Sequence, residues 1–207
     1  MTQRALIIIG QFILINLLYL FLNVISLGLL IIPTTSALFH FIDQERNDKQ
    51  DPNDLIPSYF RFLKQSIKRT MGMQVMMYVL FWMMFFNLEN ITMLTYPFFI
   101  KQTIVFFYIW LWIEFGLMII YVSYLDGNHH YIAIKPLISL SFYLIHKHVV
   151  ASIIILIGGF ISWYVLVAFS WVLGLLGLFS IGGLLIDELL RPISRKYIKE
   201  KRESNDE

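Results

Sequence analysis

Cysteine is missing from this 207-residue chain, which removes disulfides, thiol nucleophiles and thiolate metal sites from consideration. The compartment stays open, because membrane helices seldom need such staples. Charge is the second scarcity. Asp, Glu, Lys and Arg make up 14% of the residues, against about 25% in soluble domains, while hydrophobic residues reach 58% and the mean hydropathy is +0.69. From Ala5 to Ile42, and again from Val149 to Ile186, about 38 residues pass without a charged side chain, where about 18 suggest a membrane span. Alternation of apolar and polar residues at period two is also absent, which argues against a lipid-facing β-barrel and for helices. No G-x-x-x-x-G-K-[ST] loop and no H-E-x-x-H pattern occurs, so nucleotide use and zinc-protease chemistry have no motif behind them. Without repeats, low-complexity tracts or long linkers, one all-α transmembrane bundle domain over 1–190 is expected, with a charged cytoplasmic tail over 191–207.

The charge that is present lies unevenly. Arg46, Lys49, Arg61, Lys64, Lys68 and Arg69 fall between Asp43 and Thr70, and Arg191, Arg195, Lys196, Lys199, Lys201 and Arg202 follow the last apolar run. Lys135 and Lys147 flank a central connector, whereas the connectors near Glu89 to Pro97 and Trp171 to Gly177 carry no basic residue, Lys101 lying just past the first. The positive-inside bias then puts the basic segments in the cytoplasm and the two bare connectors outside. Residues 71–88 cross outward and 98–125 return. The run from Val149 begins and ends beside basic residues, so it crosses twice, as 149–171 and 175–190, with its break at Gly174 to Gly177. Arg4 precedes a first run far longer than a signal-peptide core and without an A-x-A site, which is expected to stay as an anchor.

That first run is interrupted in "SLGLLIIPTTSALFHFID". Uninterrupted, it would stretch about 57 Å as one helix, nearly twice a hydrocarbon core. Gly28 and Pro33 therefore divide it into a span over 6–27 and a short helix over 33–42 that is half-inserted, buried against the bundle or a second crossing. The charge asymmetry around it favours five spans with an external N-terminus; six spans with the N-terminus inside is the competing arrangement. Beyond it, Pro57 suits a first helical turn, and Ile56, Tyr59, Phe60, Leu63 and Ile67 share a face opposite Arg61, Lys64 and Lys68. Residues 55–70 thus read as a cytoplasmic amphipathic helix on the anionic inner leaflet, or as a helix facing a partner protein.

The segments "INLLYLF…PTTSALFHFI", "SYFRFLKQSIKRT" and "YLDGNHHYIAIKPLISLSFYLIHKHVVASI" resemble the YesL family of bacterial membrane proteins. Tyr19 stands where that family often has Trp, and Thr35-Ser36 depart mildly from its small-residue segment. The resemblance implies a multi-pass protein of the bacterial cytoplasmic (inner) membrane, of unknown biochemical activity, associated by gene context with carbohydrate uptake and breakdown. It carries over no catalytic residue.

Three groups could carry chemistry. Asn16, Tyr19, Asn23 and Ser26 recur at helical spacing on the first span, for interhelical hydrogen bonding or as the wall of a polar cavity. Glu114 stands near the middle of the third span, where a carboxylate is costly; it reads as a proton relay or cation site, or as a protonated group bonded to a neighbouring Asn or Tyr. Asp126, His129 and His130, with His146 and His148 beyond, form the one metal-ligand cluster, weakened by its place at span ends and the lack of a motif. Gly158-Gly159 and Gly182-Gly183 read as points of close helix approach. No cofactor is expected. The expected partners are membrane lipids, chiefly the anionic inner leaflet, and a membrane transporter, with nucleic acid excluded because lipid suffices for the basic faces. The leading expectation is a non-enzymatic accessory to carbohydrate uptake. A small transporter using Glu114 and the Asn16/Asn23 stripe is the alternative, and an intramembrane metal-dependent enzyme is a third.

Overall fold

The computed structural model describes residues 2–47, 54–93, 97–168 and 179–203. All regular elements among them are helical: α1 (Thr2–Ile25), α2 (Ile31–Arg46), α3 (Leu55–Met93), α4 (Phe98–Asn128), α5 (Ile134–Lys147), α6 (Val149–Ala168) and α7 (Phe179–Glu203). Three helical stretches, Leu6–Ile25, Ile56–Ile91 and Phe98–Asn128, are long and apolar enough to cross a membrane. A fourth candidate is the pair α5 and α6, bent by 92°. The expected break at Gly174 to Gly177 lies outside the described residues.

The chain does break where the long run predicted it. Leu27 and Gly28 both take positive φ, 50° and 81°, and α2 then folds back along α1. Asn23 meets Thr34, Tyr19 meets Thr35, and the Phe12 and Phe41 rings lie 5.0 Å apart, so the two helices run antiparallel. Of the three arrangements open to the short helix, the structure shows burial against the bundle. Pro33 sits in its first turn, where a missing N–H costs little. Ile32, Ala37, Leu38, Phe39, Phe41 and Ile42 are all buried, and α1, α3, α4 and α7 pack around them. The hairpin heads back toward the end from which α1 started.

Residues 55–70 and 71–88 are not two elements but parts of one helix, because nothing between them interrupts the backbone ladder. Its first half buries Tyr59, Phe62, Leu63, Ser66 and Thr70, and leaves Arg61, Lys64 and Lys68 exposed. Stacking of His40 on Phe62 and the Gln44–Ser58 hydrogen bond place α2 over this face. The apolar face of the amphipathic stretch therefore packs on protein, and Phe60 turns outward. Past Thr70 the environment reverses. From Val75 to Met93 on α3, and from Phe98 to Ile113 on α4, large apolar side chains are exposed, and α4 has no fully buried residue before Leu117. The two helices thus project from the core as an apolar arm. Its exposed length on α3, about 27 Å at 1.5 Å per residue, is close to the roughly 30 Å of a bilayer core.

Two elements differ from expectation. Residues 134–147, expected as a connector, form α5, whose buried Leu137, Ser141, Leu144 and Ile145 recur at helical spacing. Residues 179–203 form one helix through the expected boundary at 190, with Pro192 inside it. Close approach by glycine occurs at Gly183, where an added Cβ would lie 2.9 Å from Ile42, while Gly158, Gly159 and Gly182 have nothing within 4 Å.

Candidate functional site: the polar interior of the bundle

The polar stripe of α1 is consumed by packing. The Asn23 side-chain amide donates to the Tyr19 carbonyl at 2.8 Å and to the Thr34 hydroxyl at 3.0 Å. The Tyr19 and Thr35 hydroxyls are 3.3 Å apart. Ser26 Oγ accepts from the Leu30 amide, closing the turn, and Asn16 Oδ1 accepts from the Ser180 amide at the start of α7. A residue not singled out from the sequence completes this knot. Gln74 of α3, 3% exposed, accepts at 3.0 Å from the Ile32 amide, one of the orphan donors that every helix N-terminus leaves. Its amide side reaches the Gly28 carbonyl at 3.5 Å. The α1–α2 turn is thereby held from both flanks, and the hydroxyls of Thr34, Thr35 and Ser36 also bond back to carbonyls of the preceding turn.

At the C-terminal end of α4 the chain makes a tight crossing with α2. An added Cβ at Gly127 would lie 2.5 Å from the Ser36 carbonyl oxygen and 2.8 Å from Phe39 Cβ. The neighbouring Asp126, 1% exposed, accepts from Ser66 Oγ at 2.7 Å and pairs with Arg69 Nε at 3.2 Å. Arg69 also donates to the carbonyls of His130 and Ile132, so one guanidinium fixes both α4 and the loop after it. His40 Nδ1 donates to the Gly127 carbonyl at 3.1 Å, and its Nε2 lies 2.9 Å from Gln44 Nε2. The weak metal-ligand candidates do not converge: Asp126 faces Arg69, His129 Nε2 lies 3.5 Å from Ser194 Oγ, and His130 lies 6.2 Å from the Phe62 and His40 rings. Among the described residues no group of three or more His, Asp or Glu side chains could hold a metal.

A charged cluster ties α2 to α7. Asp187, fully buried, accepts from Arg191 at 2.8 Å and from Arg46 at 3.3 Å; Arg191 reaches Asp43 at 3.2 Å. Arg46 also pairs with Glu188, whose carboxylate holds the guanidinium above its ordinary pKa. Sequence separations of 141 and 148 residues hid these pairs from any local pattern.

Glu114 sits at the base of the exposed arm, one residue past the last exposed large side chain of α4 and near the middle of the Phe98–Asn128 stretch. Its Oε1 lies 3.5 Å from His146 Nε2 on α5, a partner set aside in the sequence as belonging to a connector. Beside this pair is a half-open cavity of about 260 Å³, lined by Met73, Met76, Met77, Trp110, Met118 and Phe142 among others.

A family model described as a protein of unknown function, DUF624, matches residues 12–88. That segment covers the α1–α2 hairpin from Phe12 onward, Gln74 and most of the α3 half of the arm, and stops short of Glu114 and Asp126. No curated protein and no solved structure matches the chain.

Proposed function

We propose that this is an integral protein of the bacterial cytoplasmic membrane, without chemistry of its own, that assists another membrane system. The observation that carries the reading is the division of labour in the fold. The polar stripe of α1 and the clusters around Asp126 and Asp187 are spent on holding helices together, while the outward feature of α3 and α4 is a two-helix arm presenting Phe81, Trp82, Phe85, Phe86, Phe106 and Phe107. Aromatic side chains supply large contact area at low entropy cost and suit contacts between membrane proteins as well as with lipid. The likeness to the YesL family points to carbohydrate uptake as the system assisted. The exposed trio Arg61, Lys64 and Lys68 fits contact with anionic headgroups, which supports a cytoplasmic side for that end and for the equally basic C-terminal tail.

Photo-crosslinkers introduced at Trp82 and Phe107 in native membranes test this. The expected adduct is a sugar permease subunit, captured from the arm and not from a control position at Leu6 on α1. Sugar flux by the purified protein in liposomes, lost in Glu114→Gln and Asn23→Ala, would instead establish a small transporter.

A further inference from the structure

The cavity beside Glu114 is more than a packing defect. Four of its walls are methionines, Met73, Met76, Met77 and Met118, whose unbranched, polarisable side chains adapt to flexible apolar ligands. Its open side is formed by Met76 (57% exposed), Trp110 (50%) and Phe142 (57%), so it faces outward where the exposed apolar surface of the arm ends. With the arm placed in the bilayer as proposed, a cavity at that level opens sideways into the edge of the hydrocarbon layer and not into water. The polar pair at its edge is equally specific. His146 Nδ1 must donate to the Phe142 carbonyl, 2.9 Å away, which leaves Nε2 toward Glu114 Oε1 at 3.5 Å. That separation exceeds the roughly 2.7–2.9 Å of a closed charge-assisted hydrogen bond, so the pair leaves room for a further donor. Glu114 Oε2 has no protein partner among the described residues.

We propose that this is a lateral lipid site: the methionine-lined cavity takes a segment of one acyl chain of a bilayer lipid, and the Glu114 carboxylate takes the ammonium of its aminophospholipid headgroup. An anionic headgroup with no amine would bring its phosphate to a carboxylate and is disfavoured. The inference rests on the placement of the arm in the bilayer and goes beyond the accessory role. It also gives Glu114 and the outward-facing rim of α5 a purpose that helix packing does not.

The full-length protein in nanodiscs, irradiated with phosphatidylethanolamine carrying a diazirine on one acyl chain, is the test, with phosphatidylglycerol of the same chains as comparison. Adducts are expected on the peptides holding Met73 to Met77 and Met118, severalfold more from the ethanolamine lipid. Glu114→Gln should abolish that preference. Met77→Trp, which fills the cavity, should remove the cavity adducts and leave those at Phe106 and Phe107 unchanged. Equal labelling of the cavity by the two lipids in the unmodified protein overturns the proposal. So do adducts at Phe106 and Phe107 with none in the cavity, although these keep the arm in the bilayer. Labelling at neither place removes the membrane placement as well.

Discussion

Leu27 and Gly28 turn the chain at positive φ with little around them: Leu27 is 76% exposed, and nothing lies within 4 Å of an added Gly28 Cβ. Substitutions here therefore read out backbone strain alone. Gly28→Ala should lower stability by about 1–2 kcal/mol, the left-handed penalty of an ordinary residue, and Leu27→Asn should recover a few tenths to about 1 kcal/mol because Asn tolerates that region. Thermal unfolding in one detergent would show both signs. At Gln74 the loss is a hydrogen bond with no substitute: Gln74→Leu strands the buried Ile32 amide and should cost about 1–3 kcal/mol in the same assay. The stop at Gly28 and Pro33 was legible because length alone forbade one straight helix. The Gln74 cap was not, because its partner lies 42 residues away.

Helix α2 was the element least determined by sequence, since an apolar segment of its length suits lipid, interface or core equally. What decided among them is contact with α1, α3, α4 and α7, which no periodicity reports. The amphipathic pattern of 55–70 was visible, but the same pattern serves a lipid surface and a neighbouring helix, and here α2 covers it. Helix α5 could have been found from Leu137, Ser141, Leu144 and Ile145 following Pro136, a signal masked by treating the His-rich stretch as a span boundary. The α2–α4 crossing carries the clearest consequence. Gly127→Ala drives a Cβ into backbone and should destabilise by about 1–3 kcal/mol, whereas Gly158→Ala on α6 should be neutral or slightly stabilising. Asp126→Asn at the same crossing breaks a buried pair with Arg69 and should cost about 3–5 kcal/mol, measured by the loss of folded protein on heating. Comparable melting of Gly127→Ala and the parent would show that the two helices do not approach so closely.

For the molecule as a whole, the all-helical, membrane-crossing character was open to reading from scarce charge and long apolar runs. The arrangement was less so, because it depends on ion pairs such as Arg46–Asp187 and Arg191–Asp43 that join distant segments. These pairs gather the C-terminal end of α2 and the middle of α7 together, away from the arm tip. On the proposed membrane placement, the arm of α3 and α4 lies in the bilayer together with the other apolar candidate spans, α1 and the bent α5–α6 pair, and the basic first half of α3 faces the cytoplasm. The absence of cysteine makes the direct measurement clean: single cysteines along 61–113, probed with a membrane-impermeant maleimide in intact cells and in inverted vesicles. Labelling is expected at positions 61 and 64 only in inverted vesicles and at position 92 only in cells. Continuous protection is expected at Val79, Trp82, Phe86, Phe106 and Phe107. Ready labelling of Trp82 and Phe107 from either side would contradict that placement.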